Sequence, residues 1–424
     1  MTTAQIHQLF IENHTVSTDT RKIKEGCIFF ALKGDNFNGN KYALEALKKG
    51  ASLAIVDEAE FVINNQIILV DNVLKTLQEL ATFHRTQSKA KIIALTGSNG
   101  KTTTKELINS VLSKKYKTIA TIGNLNNHIG VPLTLLSIKP ETEIAIVEMG
   151  ANHQKEIEFL CSLALPDFGY ITNFGKAHLE GFGGEEGVIK GKSELYTYLI
   201  ANKKSIFLNA DDPIQNQKLT SYVKKYGYSQ NQQEYFKIKL IEANPFVELC
   251  FENENVKTQL IGSYNFTNCC AAVVIGKYFN VTSSDINSAI AAYAPENNRS
   301  QLLTKNGHQI ILDAYNANPS SMIAALNNFK VMDTPNKIVI LGDMFELGES
   351  AKQEHQTIAK LAETMPFEKV ILVGENFTNT TTTNLKFKNF ESLKEYLNQA
   401  NFSKNSILIK GSRGMALERV LDFL

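Results

Sequence analysis

The chain has no tryptophan, only nine prolines in 424 residues, and five cysteines. Those cysteines, Cys27, Cys161, Cys250, Cys269 and Cys270, form no C-x-x-C pair. An odd, scattered set with mostly apolar neighbours excludes a disulfide framework and offers zinc no ligand spacing. It reads as the reduced core thiols of a cytoplasmic protein. Neither sign of charge is in excess: the formal net charge is +1, which speaks against a broad nucleic-acid-binding surface. No apolar run is long enough to span a bilayer. The N-terminal stretch MTTAQIHQLFIENH has no basic region leading into an apolar run, so no secretory signal is visible and no membrane insertion is expected.

What is present is the composition of a soluble globular protein, 43% hydrophobic and 21% charged. A chain of 424 residues is too long for one core, so two or three domains are expected. Three regions separate by pattern. Residues 1–86 mix short strand-like runs (GCIFFAL, ASLAIVD, QIILV) with helical stretches, and end on VLKTLQELATFHRTQ, where Leu74, Leu77, Leu80 and Ala81 share a helical face. Residues 87–294 repeat a short β-rich run followed by a polar loop: KIIALT, KTIAT, EIAIVEMG, FGYITNFG, SIFLNADD. Continuous apolar runs alternating with helical segments argue for a parallel sheet covered on both faces. Residues 295–424 do the same on a smaller scale, with HQIILDAYNANP, KIVILGDMFELG, KVILVGEN and SILIKGSRG. The join AYAPENNR is polar, carries Pro295 and suits a linker. TNTTTTN, 378–384, is a polar loop of low complexity. The fold class is therefore α/β, and ligands are expected at the carboxyl ends of the parallel strands.

The stretch TGSNGKTTTKE follows such a strand. The usual phosphate loop, G-x-x-x-x-G-K-[ST], would put its first glycine at position 95, which is Leu95; Gly97 comes two places late. The context is nevertheless strand, glycine-rich turn, helix, the last shown by Leu107, Ile108, Val111 and Leu112 at helical spacing. Glycines let backbone amides turn inward, the helix N-terminus faces the anion, and a lysine and a hydroxyl are needed for the outer phosphates and Mg²⁺. Lys101 and Thr102 supply those two groups. A tight turn with a chance Lys-Thr is the plainer reading, and the complete context disfavours it.

Other strand ends add candidates. Glu148 closes EIAIVEMG and suits a Mg²⁺-holding carboxylate; a solvent-facing glutamate is the alternative. His178 lies in ITNFGKAHLEGFGG, where Mg²⁺'s preference for oxygen favours a structural histidine. Lys190 and Lys192 in GVIKGKSELY read by physics alone as two solvated lysines. Asn265 and Asn268 in GSYNFTN suit either an adenine edge or a helix cap. Arg299 of NNRSQ suits a phosphate clamp. LDAYNANPSS sets Asp313 and Asn316 at a strand end. Lys410 and Arg413 of LIKGSRG form a carboxylate-binding pair or a plain surface loop. Asp19, Thr20, Arg21, Lys33 and Gly34, in DTR and ALKG, suit an anionic ligand.

Taken in order, TGSNGKT, VEMGANH, TNFGKAHLEGFGG, LNADD and GSYNFTN resemble the ATP-dependent Mur ligases of bacterial cell-wall synthesis over essentially the whole chain. LDAYNANPSSM and LGDMFELGESAKQEH resemble the family member that adds D-alanyl-D-alanine. The D-N-P-R motif usual in the ligase for the third residue is not found. The resemblance implies three domains: an N-terminal domain for a UDP-sugar (1–86), a central parallel-sheet P-loop ATPase domain (87–294) and a C-terminal Rossmann-like domain (295–424). It implies ATP and Mg²⁺ as cofactors, with UDP-N-acetylmuramoyl-tripeptide and D-alanyl-D-alanine as partners of a monomer. Gly97, Ser98, Asn99, Gly100, Lys101, Thr102 and Thr103 would bind the ATP phosphates. Thr102, Glu148, His178 and a carbamylated Lys192 would surround Mg²⁺, with Lys192 chosen over Lys190 by its spacing before ELY. Asn268, Arg299 and Asp313 would reach ATP. The DTR and ALKG residues would hold the uridine diphosphate, and Asn126 and Asn127 of GNLNNHIG would line the sugar-peptide path. Lys101, Lys192, His178 and Arg299 would carry the catalysis, and Asn316, Lys410 and Arg413 would serve the peptide substrates. A folylpolyglutamate-synthase-like ligase shares the central architecture, and DTR…ALKG speaks against it. A non-catalytic ATP-binding module is opposed by the intact Lys101, Thr102, Glu148 and His178 set.

Overall fold

The computed structural model describes residues 1–400, 402 and 404–424. The N-terminal part holds a four-stranded parallel sheet of Val16–Ser17, Ile28–Phe30, Leu53–Val56 and Ile67–Leu69, in chain order. Successive residues of these strands point to opposite faces, so Phe29, Ala54 and Val56 pack on Ala43 and Ala46, while Phe30 and Ile55 face Phe10, Leu77 and Leu80. The helix Val73–Gln87 buries Val73, Leu77, Leu80 and Ala81. Leu74, grouped with that stripe by spacing, is half-buried and lines the central cavity instead; Val73 takes its place in the core.

The central sheet has seven parallel strands in the order Phe236–Lys237, Lys225–Ser229, Ser205–Asn209, Phe168–Ile171, Lys91–Thr96, Ile144–Glu148, Thr118–Ala120. The strand Lys91–Thr96 runs down the middle, buried from Ile92 to Thr96. The chain leaves it toward one edge of the sheet and later crosses to its other side, so the loop after Thr96 sits where the strand order reverses. The helix Lys101–Leu112 buries Leu107, Ile108, Val111 and Leu112 against the helix Tyr264–Tyr278. Small residues there, Cys269 to Ala272 and Gly276, permit the close approach: a Cβ on Gly276 would lie 2.6 Å from Val111 Cγ1. Where a parallel sheet alone was expected in 87–294, a three-stranded antiparallel sheet, Lys239–Ala243, Phe246–Phe251 and Glu254–Ile261, is also present. Its last two strands are joined through Glu252 and Asn253, both with positive φ, the geometry of a tight hairpin turn.

The C-terminal sheet has six strands in the order Gln301–Lys305, His308–Asp313, Ser406–Lys410, Lys337–Gly342, Lys369–Val373, Leu385–Phe387, parallel except for the first pair. Asp313 and Lys410 are register partners at the carboxyl ends of adjacent strands. Among the described residues no helix is long and apolar enough to cross a membrane.

Candidate functional site

The loop after Lys91–Thr96 is shaped by two glycines. Gly97 has φ +142° and a Cβ there would fall 1.9 Å from Thr172 Oγ1; Gly100 has φ +78° and would meet Asn268 Oδ1 at 2.6 Å. The second strand end braces the loop. Ser98 N donates to Asn173 O (3.1 Å), Asn99 N to Asn173 Oδ1 (3.1 Å), and Thr172 Oγ1 to Asn99 O (2.6 Å). Lys101 Nζ folds back on Gly97 O at 2.8 Å. Burial pushes Lys101 below the usual lysine range; Glu148 opposes this and Arg299 adds to it.

Glu148 is 1% exposed and both its oxygens are engaged. Oε2 accepts from the Thr102 hydroxyl at 3.0 Å and Oε1 from Asn126 Nδ2 at 2.8 Å. The Thr102 hydroxyl at the helix start and the Glu148 carboxylate at the strand end are oxygen ligands that fit a hard divalent cation keeping waters and substrate phosphates as its other ligands. Among the described residues no three His, Cys, Asp or Glu side chains form a ready-made cage. His178 is on the cavity wall, in a left-handed conformation (φ 53°), and its Nδ1 meets the Glu346 carboxylate from the C-terminal part. That contact holds the Glu346 carboxyl below its ordinary value.

Lys192 is fully buried. Its Nζ donates to Ala151 O at 2.9 Å and stands 4.8 Å from the Phe182 ring centre. Burial, then the Lys101 charge, pushes it well below the usual lysine range.

A cavity of about 1200 Å³ lies between the central and C-terminal sheets beside these groups. Of the residues singled out in the sequence, Ser98, Asn99, Gly100, Lys101, Thr103, Asn126, Asn127, Glu148, His178, Asn265, Asn268, Arg299, Asp313, Asn316 and Lys410 lie on its wall. Gly97, Thr102 and Lys192 are not on the wall; the Ala151 carbonyl that accepts from Lys192 belongs to a wall residue. Arg299 stacks on Tyr315 at 3.8 Å, with its Nε buried and unpaired in protein. An orphaned cationic donor at a cavity edge fits an anionic ligand. Lys410 Nζ reaches Asp313 Oδ2 at 2.6 Å and is only 2% exposed, while Arg413 is exposed and pairs with Glu418 at 2.9 Å. The geometry thus splits the pair read from LIKGSRG: Lys410 faces the cavity and Arg413 does not.

Asp19, Thr20, Arg21, Lys33 and Gly34 lie apart from this cavity in the N-terminal part. Arg21 pairs with Asp19 at 2.8 Å, which holds the Asp19 carboxyl down at about 2. Lys33 pairs with Asp57 and Glu58. Sequence reasoning missed the contacts that join the two large sheets: Asn318 Nδ2 to Asn99 Oδ1 (2.8 Å), Lys176 N to Ser320 Oγ (2.7 Å), and Lys176 Nζ to Glu354 (3.1 Å). Nothing local in the sequence signals a pair more than 140 residues apart.

A central parallel strand running through a glycine-rich turn into a helix, with lysine and threonine at its start and a carboxylate on the next strand end, defines a P-loop nucleotide-binding protein carrying a second α/β sheet over its phosphate loop. The chain belongs to the Mur ligase family. Models of that family match residues 12–85 (Mur ligase family, catalytic domain), 95–276 (Mur ligase middle domain) and 298–413 (Mur ligase, glutamate ligase domain). The UDP-N-acetylmuramoyl-tripeptide–D-alanyl-D-alanine ligase of Bacillus subtilis is 34% identical over 97% of this chain and 93% of its own. A crystal structure of MurF from Acinetobacter baumannii superposes with TM-score 0.84 at 30% identity, covering 96% of this chain and 92% of that one. MurF ligase from Thermotoga maritima in complex with ADP gives TM-score 0.84 at 26% identity, with 96% of each chain covered.

Proposed function

We propose that this chain joins D-alanyl-D-alanine to UDP-N-acetylmuramoyl-tripeptide with ATP, forming an amide through an acyl phosphate and releasing ADP and phosphate. The observation that carries the reading is Glu148, bonded to Thr102, beside Lys101 on the wall of one cavity with Arg299 and Asp313 of the C-terminal part. Full-length similarity to ligases of that name sets the substrate class.

In this reading the loop from Gly97 to Thr103 cradles the phosphates of ATP, and Lys101 turns from its carbonyl contacts to the outer phosphates. Asn268 approaches the nucleotide from beside Gly100, and Arg299 and Asp313 approach it from the C-terminal side. The tripeptide carboxylate attacks the γ-phosphorus, ADP leaves, and the D-alanyl-D-alanine amine then attacks the acyl carbon and expels phosphate. The residues position and neutralise; no protein nucleophile takes part. Thr102 and Glu148 would hold Mg²⁺, with His178 and a carbamate on Lys192 close by, and the ion would supply charge neutralisation at the transferring group. Asp19 to Arg21, Lys33 and Gly34 would hold the uridine diphosphate, Asn126 and Asn127 the sugar-peptide path, and Asn316 and Lys410 the incoming dipeptide. The protein works as a cytoplasmic monomer with its domains divided near residues 86 and 295.

Phosphate release is the test. It should require ATP, Mg²⁺, UDP-muramoyl tripeptide and D-alanyl-D-alanine together. Release that ignores the dipeptide, or a reaction with a folate and glutamate instead, would sink the reading.

A further inference from the structure

Lys105 lies one helical turn beyond Lys101, outside the chemistry described so far. It is fully buried, yet it carries an ammonium where a methionine would fill the same space. Burying a cation costs several kcal/mol unless it is bonded, so its bonds are informative. Nζ donates to the carbonyl of Thr121 at 2.5 Å and meets the Glu106 carboxylate at 2.8 Å. Thr121 is itself 1% exposed and begins the segment that leads to Asn126. Its hydroxyl accepts the backbone N–H of Glu148 at 3.0 Å and a longer bond from Thr134 at 3.4 Å. Glu148 in turn holds Thr102 and Asn126 on its two oxygens, and Asn126 O accepts from Gly150 N at 2.8 Å.

A continuous chain of bonds therefore runs from Lys105 through Thr121 to the backbone and carboxylate of Glu148. We propose that Lys105 is a positioning residue for the metal-binding carboxylate: it fixes the Thr121 peptide, and Thr121 fixes Glu148 between Thr102 and Asn126. The inference rests on the ligase reading only in assigning Glu148 to a divalent cation. Lys105 is fully buried and is not on the cavity wall. With its donor removed, the Thr121 carbonyl is left unpaired while the Thr121 N–H stays on Ile146 O (3.0 Å), the Thr121 side chain can shift off the Glu148 N–H, and the carboxylate loses its aim at the Thr102 side of the site. The same device couples the Asn126 segment to the phosphate-loop helix, so both substrate paths share one anchor.

Two variants of the full chain test this. Lys105→Met removes the ammonium while conserving volume, and Thr121→Val removes only the hydroxyl. Mn²⁺ is titrated in the presence of ADP and the free ion followed by electron paramagnetic resonance. The half-saturating Mn²⁺ concentration should rise about tenfold in both variants, the size of effect seen when a group that orients a metal ligand is lost. A lysine serving stability alone would lower the folded fraction and leave the Mn²⁺ midpoint in place. An unchanged midpoint in either soluble variant overturns the proposal, and if Lys105→Met does not fold, Thr121→Val decides. Wild-type protein is put through the omission assay in parallel: failure there sinks the ligase reading, whereas a working wild type with unmoved midpoints sinks only the role of Lys105.

Discussion

Lys192 is held out of water while Lys101 is half-buried on the cavity wall, and the Lys101 charge weighs on Lys192. Their surroundings separate their tasks. Lys101 sits on the cavity wall within reach of the loop carbonyls, where it can exchange them for phosphate oxygens. Lys101→Ala should lower kcat by about 10²–10³-fold, the cost of removing a donor aimed at developing charge, while the UDP substrate still binds. Stopped phosphate-release assays with parallel calorimetry on the UDP substrate check this; near-normal release refutes it. Lys192 has one carbonyl acceptor and an aromatic ring, with its pKa depressed by burial and by Lys101. A depressed lysine spends more time as the neutral amine, the form that adds CO₂, and the resulting anion would turn repulsion from Lys101 into attraction. Intact native protein should carry one extra CO₂ on Lys192, seen by mass spectrometry under mild conditions. Lys192→Ala should be inactive and partly rescued by acetate or formate. Absence of both the added mass and the rescue counts against the carbamate.

The elements around the site are fastened by a few polar bonds under the sheet. Asp167 precedes the strand Phe168–Ile171 and binds Arg85 of the helix Val73–Gln87 (2.8 Å), Lys204 (2.7 Å) and the backbone N–H of Ile92 (3.1 Å). Burial alone would raise its pKa, but the Lys204 bond, the Ile92 N–H and the Arg85 charge outweigh that and hold it below the ordinary carboxylate range. A depressed carboxyl contributes its stability above the unfolded-state pKa and loses it as pH falls through the folded one. Asp167→Ala should therefore cost about 1–2 kcal/mol at neutral pH, since it leaves the Ile92 N–H and Lys204 without their acceptor while Arg85 keeps the carbonyls of Ala90 and Ala164, and the gap to wild type should narrow as pH falls below about 4. Urea melts at pH 7 and pH 3 check both halves; a gap that is independent of pH removes Asp167 as its source. The parallel strands on either side were legible because they are unbroken apolar runs ending in polar loops. The hairpin Phe246–Ile261 was legible in principle too: Val247, Leu249 and Phe251, then Val256, Thr258 and Leu260, are buried at every second residue on either side of Glu252 and Asn253. That period-two signal was masked by the expectation of a sheet whose strands are buried on both faces. Lys105 escaped notice for a different reason: a lysine beside a glutamate on a helix reads as a solvated pair, and only tertiary packing buries it.

At the scale of the whole molecule, the site exists only because two sheets meet. Lys101, Glu148 and His178 come from the central sheet's strand ends and loops, while Asp313, Asn316 and Lys410 come from the other sheet. Each half was readable as a set of strand ends, but their meeting was not, because the bonds across the cleft join residues without local pattern. Ser320 Oγ accepts the Lys176 N–H at 2.7 Å and Glu354 accepts from Lys176 Nζ at 3.1 Å. Ser320 does not cap its own helix, which starts on an Asn318 cap closed by Ser321, so Ser320→Ala spares the helix. Glu354 is the less exposed of the two carboxylates around Lys176, and Glu185 still pairs with the lysine once it is gone. Combining Ser320→Ala with Glu354→Ala should thus loosen the closed arrangement by about 1–2 kcal/mol while leaving each sheet's core intact. A binding-competent state made about tenfold scarcer raises the apparent KM for ATP by the same factor, with kcat at saturation moving less. Small-angle scattering should show a larger radius of gyration, and the 293–300 segment should be cleaved sooner by protease, while the melting temperature barely shifts. An unchanged KM together with an unchanged radius would mean that the sheets are held together by their apolar contacts and not by these bonds.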